Sequence, residues 1–235
     1  MNAPVSVIIP ALNEEKYLPI LLESIKNQSV KPQEIIIADA GSADKTKEIA
    51  KDYGCKIVKG GYMPTGRNNG AAAAKEEILL FLDSDTKLPP RFIERNVKEF
   101  QERQLGVATC YTSTRSMKFL NTLGMRFMNG YYRITQGFRP HAYGYCIFAK
   151  KTVHDAIKGF DEDIFVGEDQ DYALRAGKIA KFGILNSESV IASMRRFEED
   201  GQIKTTLKYL IIELHMIFLG KIKRNIFRFD VGKHV

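Results

Sequence analysis

Residues 34–83 read EIIIADAGSADKTKEIAKDYGCKIVKGGYMPTGRNNGAAAAKEEILLFLD, and their punctuation decides the fold. EIIIADA (34–40) is a near-continuous apolar strand, and GSADKTKEIAKDYG behind it reads as a turn, a helix and a glycine stop. CKIVKGG (55–61) is a second, more amphipathic strand. GRNNGAAAAKEE then opens another helix, whose Ala71–Ala74 allow close packing on a sheet. ILLFLD (78–83) is the next apolar strand. Strands of this kind alternating with helices predict a parallel sheet covered on both faces.

The same alternation extends backwards. VSVIIP (5–10) is a β-branched strand, Asn13, Glu14 and Glu15 suit a helix entry, and Pro19 fits the first helical turn. Leu21, Leu22 and Ile25 give that helix a buried stripe. In a parallel sheet, ligands gather at the carboxyl ends of the strands. The residues after Pro10, then Asp39, and then Asp83 and Asp85 all fall at such ends. Beyond Pro90 the regularity fades: a helix to about Arg103, the tract GVATCYTST, an amphipathic tract over 117–134, a strand within 143–151, a helix over 167–178 that begins in acid, and a closing helix over 206–229. Neither an internal repeat nor a Gly/Ser-rich linker divides the chain, which favours one composite domain.

The bulk properties narrow the partners. The 235 residues carry a formal net charge of +7, so an anionic partner is expected: nucleic acid, headgroups or a phosphorylated substrate. From Lys221 to Val235 there are five Lys or Arg and one Asp. Cys55, Cys110 and Cys146 are scattered and odd in number, as expected of reduced core thiols in a cytosolic protein. The acidic start and the lack of an apolar run of about 18 residues argue against a signal peptide and a spanning helix.

Several clusters can carry chemistry. Asp83-Ser84-Asp85 reads first as a strand end and a helix cap. Alternatively, along an extended strand both carboxylates would share a face and meet one hard cation, Mg²⁺ or Mn²⁺, together with substrate phosphates. Asp39 suits a turn with Gly41 and Ser42, or the hydrogen bonding of a base or ribose. Arg67, placed between a strand and the start of a helix, suits a diphosphate or a surface ion pair. Glu168-Asp169 at a helix start are caps by habit, yet an ionised carboxylate is also what a general base requires. Arg195-Arg196 lie in a charged loop that can close on a diphosphate. GxxxxGK[ST] and GxGxxG are both missing from the sequence, and the four histidines are not spaced as metal ligands.

The order of these elements is more specific than any one of them. SVIIPALNEEKYLPILLESI, IIIADAGSADKT, GRNNG, LLFLDSD, GYCIFAKK, GFDE and GEDQDYALR follow one another in a way that resembles the family 2 glycosyltransferases, over residues 4 to about 178. The resemblance implies a GT-A fold, α/β, with a Rossmann-like nucleotide-binding half over 1–104, an acceptor and catalytic half over 105–202, and an amphipathic helix with a basic tail over 203–235. It implies a nucleotide-diphosphate sugar as donor, a lipid-linked or saccharide acceptor, and inversion by direct displacement. By the same resemblance Pro10, Ala11, Asn13 and Glu14 line the nucleotide and Asp39 binds its base. Arg67, Ser84, Arg195 and Arg196 lie near the diphosphate. Asp83 and Asp85 form the DxD motif with Asp85 the direct ligand of Mg²⁺ or Mn²⁺, and Asp169 is the base with Glu168 beside it. Relatives often carry an Arg-Trp pair after the base, whereas this chain has Arg195-Arg196-Phe197 and no Trp.

In the closing helix Leu207, Ile211, Leu214 and Phe218 follow helical spacing, with Leu210 and Ile217 widening the stripe. The reading for 203–219 is packing on the sheet or on a second subunit. For the basic, aromatic stretch 220–229, contact with an anionic membrane surface balances plain packing, and would make the protein cytoplasmic and peripheral. The 117–134 tract, with Phe119, Leu123, Phe127 and Tyr131, suits either core or the border of a lipidic acceptor. Two rival functions compete: a sugar-nucleotide nucleotidyltransferase, disfavoured by PALNEE where a basic Gly-rich loop belongs, and a nucleic-acid binder, disfavoured by acids in the predicted cleft.

Overall fold

In the computed structural model, residues 2–114, 119–193, 195 and 201–224 are described. Seven strands form one sheet in the order β3-β2-β1-β4-β6-β5-β7. They are β1 (Ala3–Ala11), β2 (Pro32–Asp39), β3 (Lys56–Lys59), β4 (Ile78–Leu82), β5 (Val107–Thr114), β6 (Cys146–Lys150) and β7 (Phe182–Ala192). Only β6 opposes the others, pairing antiparallel with both β4 and β5. The carboxyl ends of the other six therefore share one edge, and the loop entering β6 reaches that edge too.

The alternation of side chains across the pleat builds two cores. Val7, Ile9, Leu80 and Leu82 face α1 (Leu18–Lys26) and α4 (Phe92–Glu102), where Leu21, Leu22, Ile25, Phe92 and Phe100 are buried. Ile8, Leu79 and Phe81 face α3 (Met63–Ala73) and α7 (Glu168–Gly177), with Phe160 and Tyr172 filling the space between. Each large apolar side chain so buried contributes about 1.5–3 kcal/mol. Helix α2 (Thr46–Asp52) ends at Gly54, at φ +71°, as its sequence predicts. Cys110 and Cys146 are buried, Cys55 is half-buried, and all three are free thiols.

Three elements depart from the sequence reading. Helix α3 starts at Met63 with Pro64 in its first turn, so Arg67 lies inside the helix rather than at its N-terminus. Its glycines are contact points, not breakers: a Cβ on Gly70 would stand well inside contact distance of Ile8 Cγ2, and one on Gly66 would touch Pro10. The edge strand β7 escaped prediction because the polar residues Asn186–Glu188 interrupt it. There Glu99 of α4 accepts the Asn186 and Ser187 amides, at 2.9 and 2.8 Å, beside a register shift in the β5–β7 pairing.

The third departure concerns the chain's last described stretch. Helix α5 (Phe119–Thr135) follows β5, α6 (Lys151–Ala156) follows β6, and α8 (Gln202–Phe218) comes after β7. The predicted packing stripe of α8 is on its outside: Leu207, Leu210, Ile211, Leu214, Ile217 and Phe218 are exposed, while Thr205, Ile212 and Met216 are buried. Gly220, at φ +84°, ends the helix well short of residue 229. Ile222 is then buried in a bridge with Val166, and Lys221 and Lys223 pair with Asp161 and Asp163 at 2.6 and 2.9 Å. The stripe of α8 is thus not packed on the sheet, and the described part of 220–229 is held to the acidic stretch before α7 by Ile222 and by ion pairs of the exposed Lys221 and Lys223. Residues 225–229 lie outside the described chain. Among the described residues no helix is long and apolar enough to cross a membrane.

Gly70→Ala should destabilise the chain by about 1–3 kcal/mol in urea unfolding, since Ile8 is a β-branched core residue with nowhere to turn. Gly124→Ala, in α5 with open space around it, should instead stabilise by up to about 1 kcal/mol.

Candidate active site

One guanidinium gathers the carboxyl edge. Arg67, 1% exposed, donates from Nη1 to Glu168 Oε1 at 2.7 Å and from Nη2 to Asp83 Oδ1 at 3.0 Å. Nη2 also donates to the Gly144 carbonyl at 3.1 Å, and the group lies 5.2 Å over the Phe160 ring. Burial works against its charge, and Asp83, Glu168 and Asp169 outweigh burial, so Arg67 is held above its ordinary value. Three segments distant in sequence are thereby tied together: the end of β4, the loop entering β6 and the start of α7.

Asp169 sits beside this cluster. Its Oδ1 accepts the Gln170 amide at 2.8 Å, and a Cβ on Gly144 would stand 3.1 Å from its Oδ2. The absence of a side chain at Gly144 is what gives the carboxylate room. Burial, reinforced by the charge of Glu168 and opposed by Arg67, pushes Asp169 up to about 7. Tyr132 and Tyr145 are near enough for that charge to help hold their phenols protonated, on top of their own burial. Gly167, at φ +84°, makes the turn that delivers Glu168 and Asp169 into the first turn of α7.

A second arginine closes the opposite side. Arg195, just past β7, donates to Glu14 Oε1 at 2.9 Å, pairs with Asp85 Oδ2 at 3.4 Å and lies 4.8 Å over Tyr17. Glu14 is buried, which raises its carboxyl despite Arg195 and a hydrogen bond from Ser84. Its amide donates to Thr46 Oγ1 at 2.8 Å. Asn13, at φ +55°, binds the neighbouring loop through Ser42 Oγ and the Ala43 amide, each at 2.9 Å. Asp39 is buried and accepts the Gly41 and Ser42 amides, at 3.0 and 3.1 Å. Pro10 lies against α3 at Gly66, and the Ala11 carbonyl accepts the Ala40 amide at 2.9 Å.

Most residues singled out in the sequence therefore meet at one edge, with corrections. Asp83-Ser84-Asp85 is not extended: it forms a turn after β4, in which Thr86 N–H returns to the Asp83 carbonyl at 3.2 Å. Its two carboxylates turn to different arginines. Arg67, itself buried, donates to the half-buried Asp83, Glu168 and Gly144 rather than standing at a helix N-terminus. Arg196 lies outside the described residues. Tyr17, Gly144, Tyr132 and Tyr145 were missed; the tyrosine-rich YGY of 143–145 was their one visible signal.

Among the described residues no group of three His, Cys, Asp or Glu side chains is placed to hold a metal alone. The donors are nonetheless hard oxygens, and Mg²⁺ and Mn²⁺ accept one or two carboxylates when phosphate and water supply the rest. Asp83 and Asp85 fit that incomplete shell, each also paired with an arginine, Asp83 with Arg67 and Asp85 with Arg195.

The model of the family described as Glycosyl transferase family 2 matches residues 6–158. A chondroitin synthase of Pasteurella multocida is 31% identical over 77% of this chain and 20% of its own length. A 4,4'-diaponeurosporenoate glycosyltransferase of Staphylococcus haemolyticus is 41% identical over 36% of this chain and 24% of its own length. The chain thus spans a quarter or less of either relative. Among solved structures, a Pyrobaculum calidifontis mannosyltransferase in complex with GDP-Man and Mn²⁺ superposes with a TM-score of 0.66 at 20% identity, over 83% of this chain and 58% of that one. S. aureus TarS 1–349 in complex with UDP-GlcNAc does so with a TM-score of 0.63 at 22% identity, over 81% and 57%. These two likenesses speak for the fold.

The raised Asp169 makes a stability prediction. Between about pH 4, where an unfolded aspartate titrates, and about 7, the folded chain holds a proton that the unfolded chain has released. Its stabilising contribution is complete below that window and is lost as pH rises through it. Asp169→Asn should therefore gain on the parent chain by a few degrees in melting temperature between pH 5 and pH 8, roughly 2–4 °C per kcal/mol. An unchanged difference across that range would refute the shift.

Proposed function

The chain belongs to glycosyl transferase family 2, and from that premise we propose that it transfers a sugar from a nucleotide-diphosphate sugar to an acceptor hydroxyl, with inversion at the anomeric carbon. The observation that carries this reading is the convergence of Asp83, Glu168 and Asp169 around Arg67 at the carboxyl edge of the sheet. The donor half is 1–104 and the acceptor half 105–202. Pro10, Ala11, Asn13 and Glu14 line the nucleotide, and Asp39, fixed by its turn, accepts hydrogen bonds from the base or ribose. The GDP-Man and UDP-GlcNAc complexes of the similar folds support a nucleotide sugar as donor, and the Mn²⁺ of one supports a divalent cation.

Asp85, with Asp83 and the diphosphate, would hold Mg²⁺ or Mn²⁺, which when bound offsets charge on the leaving group. The chain's own residues do the rest. Arg67 fixes Asp83 and Glu168, and so fixes Asp169 beside the reacting centre. The acceptor oxygen attacks the anomeric carbon while its proton passes to the Asp169 carboxylate. The bond to the diphosphate breaks on the opposite face and its electron pair leaves with the nucleotide. A base poised near 7 suits this role: a large fraction is ionised at neutral pH, and that fraction is more basic than an ordinary carboxylate. Arg195 lies where leaving-group charge develops, and the donor's diphosphate would compete with Glu14 and Asp85 for it.

Asp169→Asn should lower transfer by about 10²–10⁴-fold, as read from nucleotide release with a panel of nucleotide sugars and acceptors, while calorimetry shows nucleotide binding intact. Turnover near that of the parent chain would remove Asp169 as base. Asp85→Ala should lose the share of nucleotide affinity that EDTA removes from the parent chain. Affinity that is undiminished and insensitive to EDTA would remove the metal role.

A further inference from the structure

Helix α8 packs by its narrower flank and leaves its broader apolar flank uncovered. On the inside, Ile212 and Met216 are buried with Val166 and Ile222, and Glu213 binds Tyr131 Oη at 3.0 Å, His141 Nε2 at 2.9 Å and the Gln170 side chain. On the outside, Leu207, Leu210, Ile211, Leu214 and Phe218 are 44–77% exposed, at helical spacing. Neighbouring α5, joined to α8 through Tyr131 and Glu213, repeats the pattern: Leu123, Phe127 and Ile134 are 51–77% exposed along one stripe. Nothing among the described residues covers either stripe. A free soluble surface rarely leaves so much contiguous apolar area bare.

The charges on the two helices identify the occupant. Arg126 and Arg133 of α5 and Lys204 and Lys208 of α8 are all positive, and the one acid, Glu213, is turned inward. Among the described residues of the two helices, cations are the charges that flank the apolar stripes, which complements an anionic bilayer surface and disfavours two copies meeting on this face. We propose that α8, flanked by α5, is a monotopic docking surface for anionic membranes, lying in the headgroup plane. The inner flank of α8 reaches Gln170, next to Asp169, so docking sets the site about one helix diameter, on the order of 10 Å, from the bilayer. The acceptor hydroxyl is then met at a membrane surface. That last step rests on the glycosyl-transfer reading, and the docking itself does not.

Flotation of the full chain with phosphatidylglycerol–phosphatidylcholine vesicles tests the docking without any turnover. Binding is expected to anionic vesicles, to fall at least tenfold with pure phosphatidylcholine, and to weaken with salt. Leu210→Asp/Leu214→Asp should abolish it with the circular dichroism spectrum unchanged. Arg126→Gln/Arg133→Gln/Lys204→Gln/Lys208→Gln, which spares the apolar stripe, should weaken it several-fold. Asp169→Asn should float as the parent chain does, which separates this outcome from the fate of the catalytic reading. A chain ending at Arg224 should still bind. The proposal is overturned by a parent chain that binds no vesicles, by a Leu210/Leu214 variant that still floats, or by loss of binding on removal of 225–235 alone. A parent dimer that the Leu210/Leu214 variant dissociates, without vesicle binding, would overturn it in favour of self-association.

Discussion

Arg67 is a guanidinium with 1% of its side chain exposed, and the rest of the site depends on it. A cation withdrawn from water this far costs several kcal/mol unless acceptors surround it, and leaving any one acceptor unpaired is comparably expensive. Its acceptors come from the turn after β4, the loop entering β6 and the first turn of α7. The interaction therefore acts as a clamp on the relative positions of Asp83 and Glu168-Asp169, which are more than 80 residues apart. Nearby backbone features serve the same clamp. Gly66 and Gly70 let α3 press close to β1, Gly144 leaves room between Arg67 and Asp169, and Gly167 turns the chain so that α7 begins with its acids facing inward.

Around the clamp the charge does not balance. Among the described residues, five carboxylates, from Glu14, Asp83, Asp85, Glu168 and Asp169, share the edge with two guanidiniums, from Arg67 and Arg195. Such an excess of acid in a partly desolvated place has two physical outlets, protonation and cation binding. Both Asp169 and Glu14 are pushed towards the first, since burial raises their carboxyls. The second suits a divalent cation that arrives together with an anionic diphosphate. A basic chain that reserves an acidic crevice for an anionic substrate is less paradoxical once the cation is counted with that substrate.

The C-terminal helix illustrates how amphipathicity can mislead. Its strongest apolar stripe looks inward by convention, yet the residues that meet the body of the protein are Thr205, Ile212, Glu213 and Met216. Glu213 explains the choice. It is the acceptor for Tyr131 and His141, and a carboxylate with such partners fixes the rotation of the helix more strongly than an exposed stripe resists it. The basic residues after Gly220 then find Asp161, Asp163 and Asp171 within reach, and fold back.

Local sequence settled what local physics controls. Apolar runs of strand length between helices led to the parallel sheet, its carboxyl-edge crevice and the placement of Asp39, Asp83 and Asp85 at it, because burial on both faces leaves that composition no other economical arrangement. Asp169 joined them only through the family resemblance. Proline at the start of α1 and glycine at the end of α2 were legible for the same reason. Tertiary structure alone decided the rest. It turned Asp83 and Asp85 away from a common face, drew Arg67 into the interior, added β7 despite its polar interruption and rotated α8 outward. In each case the deciding partner, whether Glu168, Arg195, Glu99 or His141, lies far along the chain, and periodicity carries no information about a hydrogen bond or ion pair formed across such a distance.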